Sequence, residues 1–200
     1  MRRLMAGGFA LCTAAALSAG GANASSSPQD AAQAFLDWHA QPRAHSDYDR
    51  SEVSQLKQLF TGELLCLLQA TERYRAHFES AAPGDKPPYA DGDFFLSSAW
   101  EHPVSAEIEL LTVRDSSATA LVLFVDSYGT RWRDRLRLRL DGSDWRLADV
   151  DRLSLFTDAQ GKVSAGTPDS LVQSFYRDMG RNRPEVRWRR VEVDACRVER

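Results

Sequence analysis

Apolar positions recur at three- and four-residue spacing in the first half of the chain and at two-residue spacing in the second. Ala31, Ala34, Phe35 and Trp38 line one face of a helix running to about Ala40. Ser27 is placed to cap it, and Pro28 suits its first turn. A polar loop over residues 41–50 leads to a second helical stretch beginning at Ser51, with Leu56, Leu59 and Phe60 on one side. Thr61 can cap a further helix, with Glu63 at its positive end. Leu64, Leu67, Leu68, Thr71, Tyr74 and Phe78 form its apolar stripe, and the helix ends near Ser80, before the rigid loop 82–88.

From there the pattern is that of strands. Residues 105–113 read as one strand. Residues 118–125 are almost wholly apolar, as expected of a central strand covered on both faces. Residues 130–140 alternate, broken on the apolar side only by Asp134, and Asp141-Gly142-Ser143 turns the chain into a fourth segment, 145–150. Short connections between successive strands predict an antiparallel meander. A short helix then starts at Thr167-Pro168-Asp169 and runs through Phe175 to Met179, followed by an extended segment over 186–198. Helices first and a half-apolar meander second predict an α+β domain, with helices packed on a curved antiparallel sheet and a C-terminal helix-strand extension.

The N-terminus changes the setting of this fold. Arg2 and Arg3 precede an uncharged run from Leu4 to Ala19, and Ala22-Asn23-Ala24 supplies the small-x-small pattern of a signal-peptidase site. The apolar run is shorter than the roughly 20 residues that span a bilayer. Residues 1–24 therefore read as a cleaved signal peptide, and residues 25–200 as a single exported domain with no membrane span after cleavage. A lipid anchor on Cys12 is the alternative, but Leu11 stands where a small residue is needed. The expected location is periplasmic or secreted. Removing Arg2 and Arg3 deepens the net charge of −3 to −5, which argues against nucleic acid as a partner. Cleavage also leaves two cysteines, Cys66 and Cys196. In an oxidising compartment such a pair is expected to join, two buried thiols being the alternative.

Candidate chemistry is sparse. Arg131, Arg133, Arg135, Arg137 and Arg139 alternate along one strand and share a face, while Trp132, Leu136 and Leu138 take the other. Leu140 is expected on that other face as well, with Asp134 among them. Two readings stand: an anion-binding ladder for an acidic partner, or a solvated face whose arginines pair with Glu107 and Glu109 across strands. Trp38, Tyr89, Phe94, Phe95 and Trp100 could gather as an anchoring patch or serve as core packing. The close pairs Asp47/Asp49, Asp91/Asp93 and Asp149/Asp151 are explained by turn chemistry more cheaply than by a metal. No metal site is expected. No phosphate-binding glycine loop, nucleophile elbow or zinc-protease helix is present, so no cofactor is expected either.

Three segments carry a resemblance: Leu59-Phe60-Thr61-Gly62-Glu63-Leu64-Leu65, Asp91-Gly92-Asp93-Phe94-Phe95 and Trp145-Arg146-Leu147-Ala148-Asp149-Val150. Over roughly residues 32–151 the chain resembles a family of small secreted bacterial proteins with a nuclear transport factor two-like cone fold and no established function. The resemblance implies a cone-like sheet and a compartment, and no reaction. The segment after Asp151 departs from the usual ending. Enzymes on this cone often place an Asp/His pair in the cavity. His39 is the candidate at its mouth, and Asp149 would reach it if it shares the inward face of Trp145 and Leu147. Two functions follow as expectations. The first is a binding protein, an inhibitor or immunity-type partner of an envelope protein or cell-wall-associated ligand. The second is a small hydrolase- or isomerase-type enzyme using His39 and Asp149.

Overall fold

A computed structural model describes residues 27–41, 55–89 and 92–197. The segment expected to be a signal peptide, the start of the second expected helix, Asp47, Asp49 and Asp91 lie outside the described residues. The fold is α+β: a curved, unclosed antiparallel sheet of six strands with helices packed on it.

Helix α1 (Pro28–His39) begins as expected. The Ser27 side chain accepts the Asp30 N–H, and Ala31, Ala32, Phe35, Leu36 and His39 are buried. The stretch after it contributes a 3₁₀ turn at Gln55–Gln58. Helix α2 (Gly62–Ala81) follows Thr61, whose side chain makes no capping bond. The chain there is held by the sheet instead: the Leu147 N–H donates to the Leu59 carbonyl at 2.8 Å, and the Thr61 N–H to the Leu147 carbonyl at 2.9 Å.

Strands β1 (Pro103–Arg114), β2 (Ser117–Asp126), β3 (Arg131–Asp141), β4 (Asp144–Thr157) and β5 (Val163–Ala165) are neighbours in that order, and β6 (Asp169–Ser170) pairs with β4. Gly142, at φ 68°, makes the tight β3–β4 turn, where a side chain would be strained. The expectation for β2 requires correction. Ala118, Ala120, Val122 and Phe124 are buried, but Thr119, Leu121, Leu123 and Val125 are only half-buried. On that second face the residues stand in register beside the arginines of β3.

The C-terminal part also differs. Helix α3 (Leu171–Met179) starts later than Thr167, because Asp169 and Ser170 pair with β4 and Ser170 then caps the helix through the Gln173 N–H. The extended segment expected at 186–198 is not formed over its described part. A 3₁₀ turn at Pro184–Val186 and a short helix α4 (Val191–Asp194) stand there. The turn reverses at Arg187, φ 56°, so that Arg183 and Trp188 pair across it. The Trp188 indole donates to the Met179 carbonyl at 2.8 Å. Cys66 on α2 is disulfide-bonded to Cys196, as expected, and this fastens the C-terminal segment to α2.

Candidate functional site

The helix-covered face of the sheet is filled. Trp132, Leu136 and Leu138 of β3 and Val122 and Phe124 of β2 are 0–2 % exposed, as are Phe35 of α1, Phe60 and Phe95. Phe60 and Phe95 stack at 5.8 Å between centroids, and Phe124 and Trp132 at 5.5 Å. Close-packed rings of this kind make this face a hydrophobic core.

Within this face lies an acid–imidazole pair. His39 Nε2 and Asp93 Oδ2 are 2.7 Å apart, and each side chain is 2 % exposed. The other Asp93 oxygen accepts the Phe95 N–H at 2.8 Å and the Leu96 N–H at 3.4 Å, so the carboxylate shapes the loop as well. Gly92 is required beside it: at φ 79°, a Cβ there would lie 2.6 Å from the Ala99 carbonyl oxygen. Phe35, Trp38 and Phe95 surround the imidazole at ring-centroid distances of 5.6 to 6.3 Å. A general base must touch the proton it takes. This pair is shut away from one.

The partner of His39 is therefore Asp93, not Asp149. The reason is a bulge. Arg137 pairs with Asp149 and Leu138 with Leu147, so one residue of β3 spans two of β4. Leu147 and Asp149, which an unbroken strand would place on one face, fall on opposite faces. Asp149 is spent on the start of α3. It accepts the Ser170 hydroxyl at 2.6 Å, the Val172 N–H at 3.0 Å and its neighbour Val150 N–H at 2.8 Å. Burial pushes its carboxyl above the ordinary value.

Asp134, the lone charge on the apolar side of β3, has a similar duty. It is fully buried and accepts the Ser97 N–H at 2.8 Å, the Ser97 hydroxyl and the Leu153 N–H at 2.9 Å. Between Trp132 and Asp134 the register with β4 shifts again, and Asp134 satisfies an N–H of that irregular stretch. Burial raises its carboxyl too, against the hydrogen bonds that favour the charged form.

The opposite face carries the arginines. Across the β2–β3 register, Arg131, Arg133, Arg135, Arg137 and Arg139 stand beside Val125, Leu123, Leu121, Thr119 and Ser117. Arg133 grips Glu109 with two bonds of 2.7 Å, which holds the Glu109 carboxyl below its ordinary value. A register shift between Ile108 and Leu110 accompanies this reach of Glu109. Arg135 and Arg137 share Asp151, at 3.4 and 2.9 Å. Sequence reasoning named Glu109 as a partner and missed Asp151, whose register opposite Arg135 depends on the bulge. Arg131 and Arg139, at the two ends of the row, make no ion pair among the described residues. Leu110, 58 % exposed, lies beside Leu121 at the margin of this surface, on the edge strand β1.

The aromatic residues do not form one exposed patch. Trp38 packs edge-on against Phe60 and Phe95 at 5.5 Å. Tyr89 meets Phe94 at 6.1 Å and Phe175 at 5.7 Å. These are core contacts. Trp100 is 72 % exposed, with the Lys86 ammonium 5.7 Å from its ring centroid. Among the described residues no cluster of three or more His, Cys, Asp or Glu is placed to hold a metal, and no helix is long and apolar enough to cross a membrane.

No protein-family profile matches the chain, and no curated protein or solved structure matches it either.

Proposed function

We propose that this chain is an exported binding module that docks an acidic partner of the cell envelope, a protein or a cell-wall-associated ligand, on its arginine face. One observation carries the reading. The face covered by helices is packed around a buried His39–Asp93 pair, while the other face presents a row of arginines whose end members make no ion pair among the described residues. A role as an inhibitor or immunity-type protein follows from a module that binds and does no chemistry. The resemblance to the secreted cone-fold family and the signal-like N-terminus belong to the same proposal. The Cys66–Cys196 bridge supports it, because such bonds persist in oxidising compartments.

Arginine side chains with aliphatic neighbours suit this task. Leu121, Leu123 and Val125 supply half-buried apolar area beside the arginines, whose guanidinium groups are able to fork onto a carboxylate as Arg133 does onto Glu109. Arg135 and Arg137 are 45 and 54 % exposed while still bound to Asp151. An incoming carboxylate can add to the exposed sides of these two guanidinium groups while Asp151, itself buried, keeps its place beneath them.

Capture from an envelope extract tests the reading. The double variant Arg131→Glu/Arg139→Glu alters charges that support no ion pair among the described residues, so the fold should persist. The wild type should retain a partner whose release rises with salt, and the variant should lose it, the association rate falling about tenfold or more. Equal retention by both proteins removes the arginine face from the account.

A further inference from the structure

A second surface, remote in sequence from the arginine ladder, gathers donors of a different kind. Arg177 on the last turn of α3 and Arg181 and Arg183 just beyond it border a cleft of about 400 Å³. Tyr74 and Tyr89 form part of its wall. Two polar atoms on these residues are buried and meet no protein partner among the described residues: the Tyr89 hydroxyl and Arg183 Nε. Buried donors of this sort are uncommon in folded chains and ask for an acceptor.

Tyr89 is also held in an unusual backbone conformation, with φ at 60°. For a bulky side chain the left-handed region is strained, and such strain gathers where a side chain must be aimed. The ring is fixed from behind by Phe94 and Phe175. Burial raises the phenol well above its ordinary value, with the Asp178 carboxylate adding to this, so the group stays a donor at any working pH.

The charges in the cleft favour an anion. Asp178 is engaged by Arg177 Nε at 3.0 Å, and Arg177 also lies 3.6 Å from Asp169. Glu185 lies 3.8 Å from Arg183, while Arg181 makes no ion pair among the described residues. The Met179 carbonyl at the end of the helix is bonded by the Trp188 indole at 2.8 Å.

We infer that this cleft binds the oxyanion group, phosphate or carboxylate, of a small molecule, with Arg181 and Arg183 as its positive lining and the Tyr89 hydroxyl as an aimed donor. Arginine forks match either group, and a phenol O–H donates equally to both. The site is separate from the arginine face, so Arg131→Glu/Arg139→Glu should leave it intact.

Calorimetric titration of the full exported chain with inorganic phosphate and with succinate, each against chloride at equal ionic strength, tests this. One of the two should bind saturably and at least about tenfold tighter than chloride, and the tighter probe assigns the group. Tyr89→Phe should weaken that binding about tenfold, the scale of one hydrogen bond to a charged group, with Tm unchanged or raised. Arg181→Ala should weaken it as well. Three results overturn the inference: neither probe exceeding chloride, both variants binding like the wild type, or a Tm loss in Tyr89→Phe, which would give the hydroxyl a structural partner.

Discussion

Replacing Cys66 and Cys196 together with alanine removes a crosslink that spans 130 residues. A bridge of this length acts chiefly on the unfolded chain, whose loop-closure entropy grows with the logarithm of the loop; for this loop the loss is about 5 kcal/mol at 25 °C. In a domain of this size about 1 kcal/mol moves the transition by roughly 2–4 °C, so Tm should fall by about 10–20 °C. The native fold should survive the change. Trp188 is 1 % exposed, bonds to Met179 and meets the Tyr74 ring at 4.9 Å, and Arg197 lies 4.3 Å over the Tyr176 ring. Those contacts keep the C-terminal segment docked without the bridge. Guanidinium unfolding followed by tryptophan fluorescence measures the effect. The midpoint should drop and the slope should rise, because the uncrosslinked unfolded chain exposes more surface. Stability within about 1 kcal/mol of the wild type, with an unchanged slope, would refute the loop-entropy argument. Loss of the native near-ultraviolet tryptophan signal would refute it differently, by locating the effect in the folded state.

Breaking the buried pair by His39→Ala should cost about 2–5 kcal/mol, because it removes a buried ring and takes the imidazole away from the buried Asp93 Oδ2. The double variant His39→Ala/Asp93→Ala should cost less than the two single losses together, and strict additivity in urea unfolding would deny the coupling. Asp134→Ala strands the Ser97 and Leu153 N–H groups and should cost about 3–5 kcal/mol, checked by the same assay, with a loss under about 1 kcal/mol counting against it. Asp149 has its carboxyl raised by burial, so the native state binds that proton more tightly than the unfolded chain does. Its contribution is intact below the ordinary value of 3.8 and is lost as pH climbs through the raised native value. Measured across that window, Asp149→Asn should gain stability relative to the wild type as pH rises. A pH-independent difference would contradict the assigned direction.

The meander, the first helix, the long helix and the disulfide were legible because each rests on local signals: two-residue alternation, a Ser-Pro start, a continuous apolar stripe, and an isolated pair of cysteines. Asp134 was visible as a lone charge on an apolar side, although its partners were not. What escaped depends on contacts between distant segments. The bulge that turns Asp149 away from Leu147 leaves no trace in the alternation of 145–150, and it alone decides which carboxylate can meet His39. Asp93 reads as a turn residue in sequence. It is one, through Phe95 and Leu96, while its second oxygen takes an imidazole 54 positions earlier in the chain. The segment after Met179 alternates like a strand. It folds back because Trp188 finds the end of α3 and Cys196 finds α2. The cleft at Tyr89 joins three elements and has no local motif at all.

The claim that this protein works by its arginine face is tested most directly by dicarbonyl labelling of arginines, read by mass spectrometry, in the free protein and in the captured complex. Arg131, Arg135 and Arg139 should label in the free protein and be shielded in the complex, while Arg189, 74 % exposed on the C-terminal segment, labels in both. Undiminished labelling of the β3 arginines in the complex would contradict the account.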